Sequence, residues 1–299
     1  MTDHDVLVLG GAGVDTVVYV PRLPLPFADS YPVPAIHSRA GQTGDGVALG
    51  VHALGLRTHH LDLLGDDPEG ALVRELHERR GVPFTAVPTA AGTKRAVNLV
   101  SPDGRRLSLY DGRGGEADRL PAERVSALAA ASRHVHVSIT HPCGEALALL
   151  GGASVSTDLH DWDGHNPYHV PFACRADIVF LSAAKLSDVP DTMRRILDEG
   201  RAHTVVATAG AAGAHLLERG ERAPRQVPAA EPPAPVVDSN GAGDAFVAGF
   251  LFGFLSGESA WNSAGYGAVA GAHACTVPAT AVDPIERAAL SRADWPPPS

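Results

Sequence analysis

The chain has 299 residues, a formal net charge of −10, 44% hydrophobic residues and 19% charged ones, with a pI near 5.8. That length buries a full core and suits one large α/β domain over residues 1–299 rather than three modules. The acidic balance, with no basic run longer than Arg79-Arg80 or Arg105-Arg106, excludes a nucleic-acid-binding surface and still permits a small anionic substrate at a locally basic site.

The first residues, Met1-Thr2-Asp3-His4-Asp5, carry neither the charged nor the apolar region of a signal peptide. No apolar run reaches membrane-spanning length. Cys143, Cys174 and Cys275 are widely spaced without a C-x-x-C pattern, as in a reduced cytosolic protein. A soluble, cytoplasmic protein with no membrane partner is expected.

Residues 6–9, Val-Leu-Val-Leu, read as a buried first strand that ends at Gly10-Gly11. The following Gly10-Gly11-Ala12-Gly13-Val14-Asp15 hints at a dinucleotide fingerprint, but Thr16 occupies the place of its third glycine. Residues 47–54 read as a helix and 60–64 as a strand. Residues 69–80 form an amphipathic helix stopped by Gly81, with Leu72 and Leu76 expected on one face. Further strands are expected at 134–139, 154–159, 178–181 and 204–208, with helices at 122–131, 144–150 and 192–199. This alternation predicts a mostly parallel sheet with helices on both faces.

Two stretches break the rhythm. Residues 16–36 contain Pro21, Pro24, Pro26, Pro32 and Pro34, and residues 93–110 alternate like strands around Pro102-Asp103-Gly104. The second reads as a hairpin with its turn at Asp103-Gly104. Together, over about 16–38 and 93–112, they are expected to build a small sheet outside the main one.

Asp158-Leu159-His160-Asp161-Trp162-Asp163-Gly164-His165 packs three Asp and two His together. No pair has helical ligand spacing backed by a second motif, so a substrate- or nucleotide-facing loop at a strand end is preferred over a metal site. The other histidines are scattered.

Residues 237–246 read V-D-S-N-G-A-G-D-A-F. Gly241, Ala242 and Gly243 open a helix marked by Phe246, Phe250 and Phe254 at helical spacing. The first N–H groups of such a helix, with the positive end of its dipole, form an anion site. Asp244 stands in the first turn, where a carboxylate suits proton removal from a hydroxyl while the cradle stabilises a phosphoryl group in transit. The helix start is expected to lower its pKa.

Asp238 to Phe246 resembles the C-terminal signature of the ribokinase-like (PfkB) family of carbohydrate and nucleoside kinases. The resemblance implies a three-layer α/β fold with a β-sheet lid that excludes water during transfer. It implies Asp244 as general base, and Gly241, Ala242 and Gly243 as the anion hole. By matching position, Asp15, Gly41, Gln42 and Asp45 would bind substrate. Thr208, Gly210, Asn240, Lys185 and Thr276 would lie on the nucleotide side.

The chain departs from the family pattern at four places. Ala40 replaces a glycine and Asp45 an asparagine, so that subsite favours a hydroxyl or an amine over an anion, because an ionised carboxylate only accepts hydrogen bonds. Ser182 and Lys185 stand where the family has the Asn and Glu that organise magnesium-bound phosphates. Asp238 has two readings, a carboxylate that helps hold a monovalent cation such as K+ and one that caps the loop. The implied activity is ATP- and Mg2+-dependent phosphorylation of a hydroxymethyl group on a sugar or sugar-like compound. A nucleoside kinase acting on the ribose 5′-hydroxyl is the alternative, with Trp162, Tyr19 or Tyr31 as base-stacking candidates. A non-catalytic ligand-binding relative is the third reading. The family also implies a homodimer formed through the lid.

Overall fold

The computed structural model describes residues 2–114, 118–278, 282–291 and 295. In chain order its strands are β1 (His4–Leu9), β2 (Val14–Tyr19), β3 (His37–Ala40), β4 (Thr58–Leu64), β5 (Phe84–Pro88), β6 (Arg95–Val100) and β7 (Arg106–Asp111). They continue as β8 (Ser132–Ser138), β9 (Ser154–Asp158), β10 (Ile178–Ser182), β11 (Thr204–Thr208), β12 (Ala214–Glu218) and β13 (Arg225–Val227). The helices are α1 (Thr43–Ala53), α2 (Pro68–Arg80), α3 (Ala122–Ala130), α4 (His141–Ala146) and α5 (Val170–Arg175), then α6 (Val189–Glu199), α7 (Ala242–Leu255), α8 (Ala260–Ala274) and α9 (Arg287–Leu290).

Among the described residues, one sheet has nine strands in the order β13-β12-β11-β10-β9-β8-β1-β4-β5. Its strands run parallel from β11 to β5, and β12 and β13 add antiparallel at one edge. Side chains alternate across a strand, and β1 shows the result. Leu7 and Leu9 enter the core on the side of α3, α5 and α6, while Val6 and Val8 enter the core on the side of α1, α2, α7 and α8. Both faces are therefore covered, which is why residues 6–9 and 178–181 read as continuous apolar runs, while β8 and β9 between them bury His134, His136, Ser156 and Thr157.

The helix boundaries follow local chemistry. Asp67 caps α2 by accepting from Gly70 N at 2.8 Å, Pro68 opens the helix, and Gly81 ends it with φ +69°. Its buried face is Gly70, Val73, Leu76 and His77, whereas Leu72 is exposed. The expected pairing of Leu72 with Leu76 is therefore corrected. They are four apart, but the buried arc runs through Val73 at the other side of Leu76. The expected helix at 144–150 starts earlier, at His141, and finishes as a 3-10 turn at Leu147–Leu149. Helix α7 is apolar all round because it is sandwiched. Phe250 meets Phe180 edge-on at 5.1 Å, and α8 lies so close that a Cβ on Gly249 would stand 2.5 Å from the Tyr266 carbonyl.

The second sheet has four strands, ordered β3-β2-β6-β7. β6 and β7 form the expected hairpin, with Gly104 at φ +77° in its turn, and β2 joins β6 in parallel. One face of this sheet carries Asp15, Val17 and Tyr19 of β2, in register with Ala96, Asn98 and Val100 of β6. Arg106, Ser108 and Tyr110 of β7 share that face.

Candidate active site

The glycine loop after β1 does not lead into a helix. Gly10 and Gly11 take φ of +77° and +76°, and β2 follows directly. A dinucleotide fingerprint needs a helix N-terminus at that point, so this segment instead delivers Asp15 to the inner face of the small sheet. There Asp15 lies within 3.7 Å of Arg39 Nη2 and 3.5 Å of Gln42 Nε2. Its pKa is raised, mainly because burial disfavours the ionised carboxylate, with Arg39 opposing.

The 238–244 segment forms the loop before α7. Asp238 Oδ1 accepts from Asn240 N at 2.8 Å, and the backbone N–H groups of Val237 and Asp238 donate to the Cys275 carbonyl at 2.9 and 3.2 Å. Gly241 takes φ +79° immediately before the helix, a conformation open to glycine at little cost. Ala242 N turns back toward the Ser239 carbonyl at 3.3 Å. Helix geometry leaves the next N–H groups, on Gly243 and Asp244, without intrahelical acceptors. Asp244 fits beside α1 because position 46 is glycine. A Cβ there would stand 2.9 Å from both Cβ and Oδ2 of Asp244.

The Asp244 carboxyl is pushed up to about 8. Burial is the largest cause, the Asp158 carboxylate adds to it, and Arg106 and Arg39 oppose. The lowered pKa expected from the helix start is therefore overturned. A helix N-terminus contributes a fraction of a charge, and desolvation with a second carboxylate outweighs it. Asp158 ends β9 at the mouth of this loop, 4.0 Å from where a Gly243 Cβ would lie.

Both opposing arginines come from the small sheet, and no local motif marks either one. Arg39 lies on β3, and Arg106 on β7 donates through Nη1 to Asn240 Oδ1. Tyr19 of β2 reaches the same loop, with its hydroxyl 3.4 Å from Asp238 Oδ2. Sequence distances of 134 and 219 residues separate these pairs, so only the sheet register brings them together.

Several expected site residues are engaged elsewhere. Asp45 is fully buried and has no surface to offer a substrate. Its Oδ2 accepts from Gly13 N at 3.0 Å and Gln42 N at 3.2 Å, and its Oδ1 pairs with His77 Nε2 at 2.8 Å and His60 Nδ1 at 3.5 Å. Its hydroxyl-reading role is corrected accordingly. Asp45 clasps the Gly10–Gly13 and Gly41–Gln42 loops from beneath. Among the described residues, Asp45, His60 and His77 form the one cluster compact enough to suit a metal ion, yet mutual and backbone hydrogen bonds already occupy the facing atoms.

Lys185 pairs with Asp161 at 2.5 Å, with both side chains exposed. Ser182 caps its 3-10 turn by accepting from Ala184 N at 3.2 Å. Asp163 accepts from His165 N and Asn166 N, so the 158–165 stretch is organised by turns and one ion pair. Trp162 is buried with its Nε1 donating to the Asn166 carbonyl, and Tyr31 donates to the Pro26 carbonyl. Thr208 Oγ1 donates to the Leu181 carbonyl at 3.3 Å where β11 ends, and Gly210 follows with φ +56°. The Thr276 hydroxyl donates to the His273 carbonyl beyond α8.

The pfkB family carbohydrate kinase profile matches residues 168–287. An acarbose 7(IV)-phosphotransferase from Actinoplanes sp. is 62% identical over 296 residues, covering 98% of this chain and 99% of that protein. The chain belongs to the pfkB family of carbohydrate kinases. Its fold overlays a microbiome-derived acarbose kinase with a TM-score of 0.90 at 45% identity, covering 98% and 99% of the two chains. An Arabidopsis thaliana ribokinase, solved with ribose and ATP, aligns with a TM-score of 0.80 at 21% identity over 98% of both chains. That second likeness bears on the fold, a ribokinase-like three-layer sheet with a small second sheet. The family makes this chain an ATP-dependent sugar kinase.

Proposed function

We propose that this kinase phosphorylates a hydroxymethyl group on acarbose or a closely similar multi-ring compound, with Asp244 as general base. The observation that carries the substrate is the 62% identity to an acarbose phosphotransferase across 98% of the chain. The nucleoside alternative keeps less support, because Trp162, one of its three base-stacking candidates, is buried.

In this reading the acceptor hydroxyl sits between Asp244 and the γ-phosphate of ATP. Its oxygen attacks phosphorus as the bond to the β-phosphate oxygen breaks. The hydroxyl proton passes to Asp244, and ADP leaves. Gly241, Ala242 and Gly243 present the α7 N-terminus to the phosphoryl oxygens. Asp15 accepts from the sugar hydroxyls, while Gly41 and Gln42 border it. The nucleotide lies along Thr208, Gly210 and Asn240. The small sheet acts as the lid, and Arg106 and Arg39 bring positive charge to the transferring group.

Asp158 suits a Mg2+ bound with ATP, since a carboxylate at the mouth of an anion site is otherwise repulsive. When bound, that ion neutralises charge on the phosphates. Asp238 is assigned as the loop cap through its bond to Asn240 N. A K+ requirement is tested by replacing KCl with a tetramethylammonium salt. The lid's outer face pairs Val97 with Leu109 and Leu99 with Leu107. Leu107 and Leu109 are 45% and 58% exposed, an apolar patch that suits a homodimer.

The test is ATP-dependent phosphorylation of acarbose with the product site located by NMR. Asp244→Asn is expected to lower turnover by orders of magnitude while ATP still binds. Near-normal turnover in that variant, or no product from acarbose, would sink the assignment.

A further inference from the structure

Beyond the phosphoryl site lies a second cavity of ≈ 420 Å³, a size typical of small-molecule sites. It lies between the end of β7 and the turn that follows β8, and Lys94, Tyr110, Thr140, His141 and Tyr168 are among its walls. Three features of its wall point to a carbohydrate ligand.

The first is position. Asp15, Ala96 and Tyr110 stand side by side across β2, β6 and β7. Arg106, four residues before Tyr110 on the same face, touches the anion loop at Asn240. At the rise of a strand, about 13 Å separates Arg106 from Tyr110 along β7. One pyranose ring does not span that distance. Asp15 stands at the register of Tyr110, two strands and about 10 Å away, so an acceptor held at Asp244 and Asp15 reaches Tyr110 by extending across β6.

The second is a buried donor. Lys94 is 6% exposed and its Nζ pairs with Asp62 at 2.8 Å, with the Leu63 carbonyl at 3.5 Å as a second partner. Asp62 itself is fully buried and accepts from Ala12 N at 2.8 Å. An ammonium has three donors, and the remaining one serves the cavity that Lys94 lines.

The third is a pair of aromatic surfaces. Tyr110 and Tyr168 remain 58% and 43% exposed although both border the cavity. The Tyr168 hydroxyl donates to the Ile139 carbonyl at 2.9 Å, which fixes the ring at the rim. The exposed faces of both rings, and the satisfied polar tip of Tyr168, match the C–H face of a pyranose.

We propose that this cavity is a second carbohydrate subsite, holding the rings beyond the one phosphorylated, with Tyr110 and Tyr168 as platforms and Lys94 as hydroxyl donor. The proposal rests on the multi-ring acceptor read above. It makes chain length, rather than the acceptor ring alone, the basis of selectivity.

The experiment measures kcat/KM for acarbose and for the shortest acarbose fragment that the wild type phosphorylates. The readout is the ratio of the two in wild type, Tyr168→Ala, Tyr168→Phe and Tyr110→Ala. Either alanine change is expected to lower the ratio about tenfold, the loss of one good contact. Tyr168→Phe keeps the ring and is expected to stay within about threefold of wild type. Ratios unchanged in both alanine variants, with acarbose still turned over, would refute the subsite. A wild type that leaves acarbose untouched would instead overturn the substrate reading on which it rests. Circular dichroism on each variant separates misfolding from lost contacts, and an unfolded Tyr110→Ala leaves the Tyr168 pair to decide.

Discussion

The Asp244 carboxyl supplies the sharpest test, because in the proposed mechanism its ionisation sets how much enzyme carries a working base. With the group pushed up to about 8, roughly one free enzyme molecule in ten holds the base form at pH 7. The second-order rate at low sugar and low ATP reports the free enzyme. That rate is expected to climb about tenfold from pH 7 to pH 9 and then level off. Arg106→Gln removes a cation that opposes the shift, so its limb moves upward by about one unit. Asp158, Arg39 and Asp15 also act on the group and stay in place. The profile is measured by coupled ADP release from pH 5.5 to 9.5, beside Asp244→Asn as the residual rate. A limb in the ordinary carboxylate range, or one that falls in Arg106→Gln, would refute the charge assignment.

Other expectations follow from the same packing. A carboxyl whose folded pKa is raised binds more protons in the native state between about pH 4 and 8, so it weakens the fold as pH rises through that window. Asp244→Asn is therefore expected to be more stable than wild type at pH 8.5, by about 1–2 kcal/mol after allowance for solvent screening; equal melting temperatures there would count against it. His60 and His134 are held at about 4 and His136 at about 3, each chiefly by burial. Their unfolded forms take up protons near pH 6.5, so urea midpoints should fall steeply from pH 6.5 to 4, and a flat response would show that the histidines are not buried and neutral. Gly46→Ala would place a Cβ 2.9 Å from Asp244 Cβ and Oδ2; kcat should drop about a hundredfold with ATP affinity little changed, and calorimetry with kinetics separates the two. For the proposed homodimer, Leu109→Glu on the apolar outer face of β7 should shift the protein to monomer by light scattering; a wild type that is already monomeric would refute the dimer, and an unaltered dimer would move the interface elsewhere.

Much of the architecture was legible because the main sheet is buried on both sides. Strands buried on both faces favour apolar runs, and residues 6–9 and 178–181 show this without reference to distant contacts, whereas β8 and β9 carry buried histidine, serine and threonine. Asp103-Gly104 likewise declared its turn through the left-handed glycine. Helix α8 escaped notice because alanine and glycine fill positions pressed against α7, so size rather than hydrophobic periodicity encodes its packing. Strands β12 and β13 are short and set by pairing, β12 with β11 and β13 with β12, which no local pattern records. At the site, the 238–244 loop was legible because its conformation is local. The role of Asp45 was not. Its partners His60 and His77 lie on β4 and α2, and only the fold shows that its acceptor atoms are filled.

The 238–244 loop reads differently once the small sheet is in place. Three carboxylates, Asp15, Asp158 and Asp244, converge on the loop proposed to hold phosphate, and two guanidiniums, Arg39 and Arg106, balance them in part. Both cations belong to strands of the small sheet. Displacing that sheet would take both cations and Asp15 from Asp244 and would also admit water to it, so the cations lost and the burial relieved act on the carboxyl in opposite directions. The same strand that carries Arg106 to the anion loop carries Tyr110 to the second cavity. A substrate long enough to engage both ends of β7 would therefore favour the arrangement in which Arg39 and Arg106 face Asp244. In the proposed mechanism that gives chain length a route to kcat as well as to KM, since binding energy far from the reacting hydroxyl is then used to hold both cations at the transferring group.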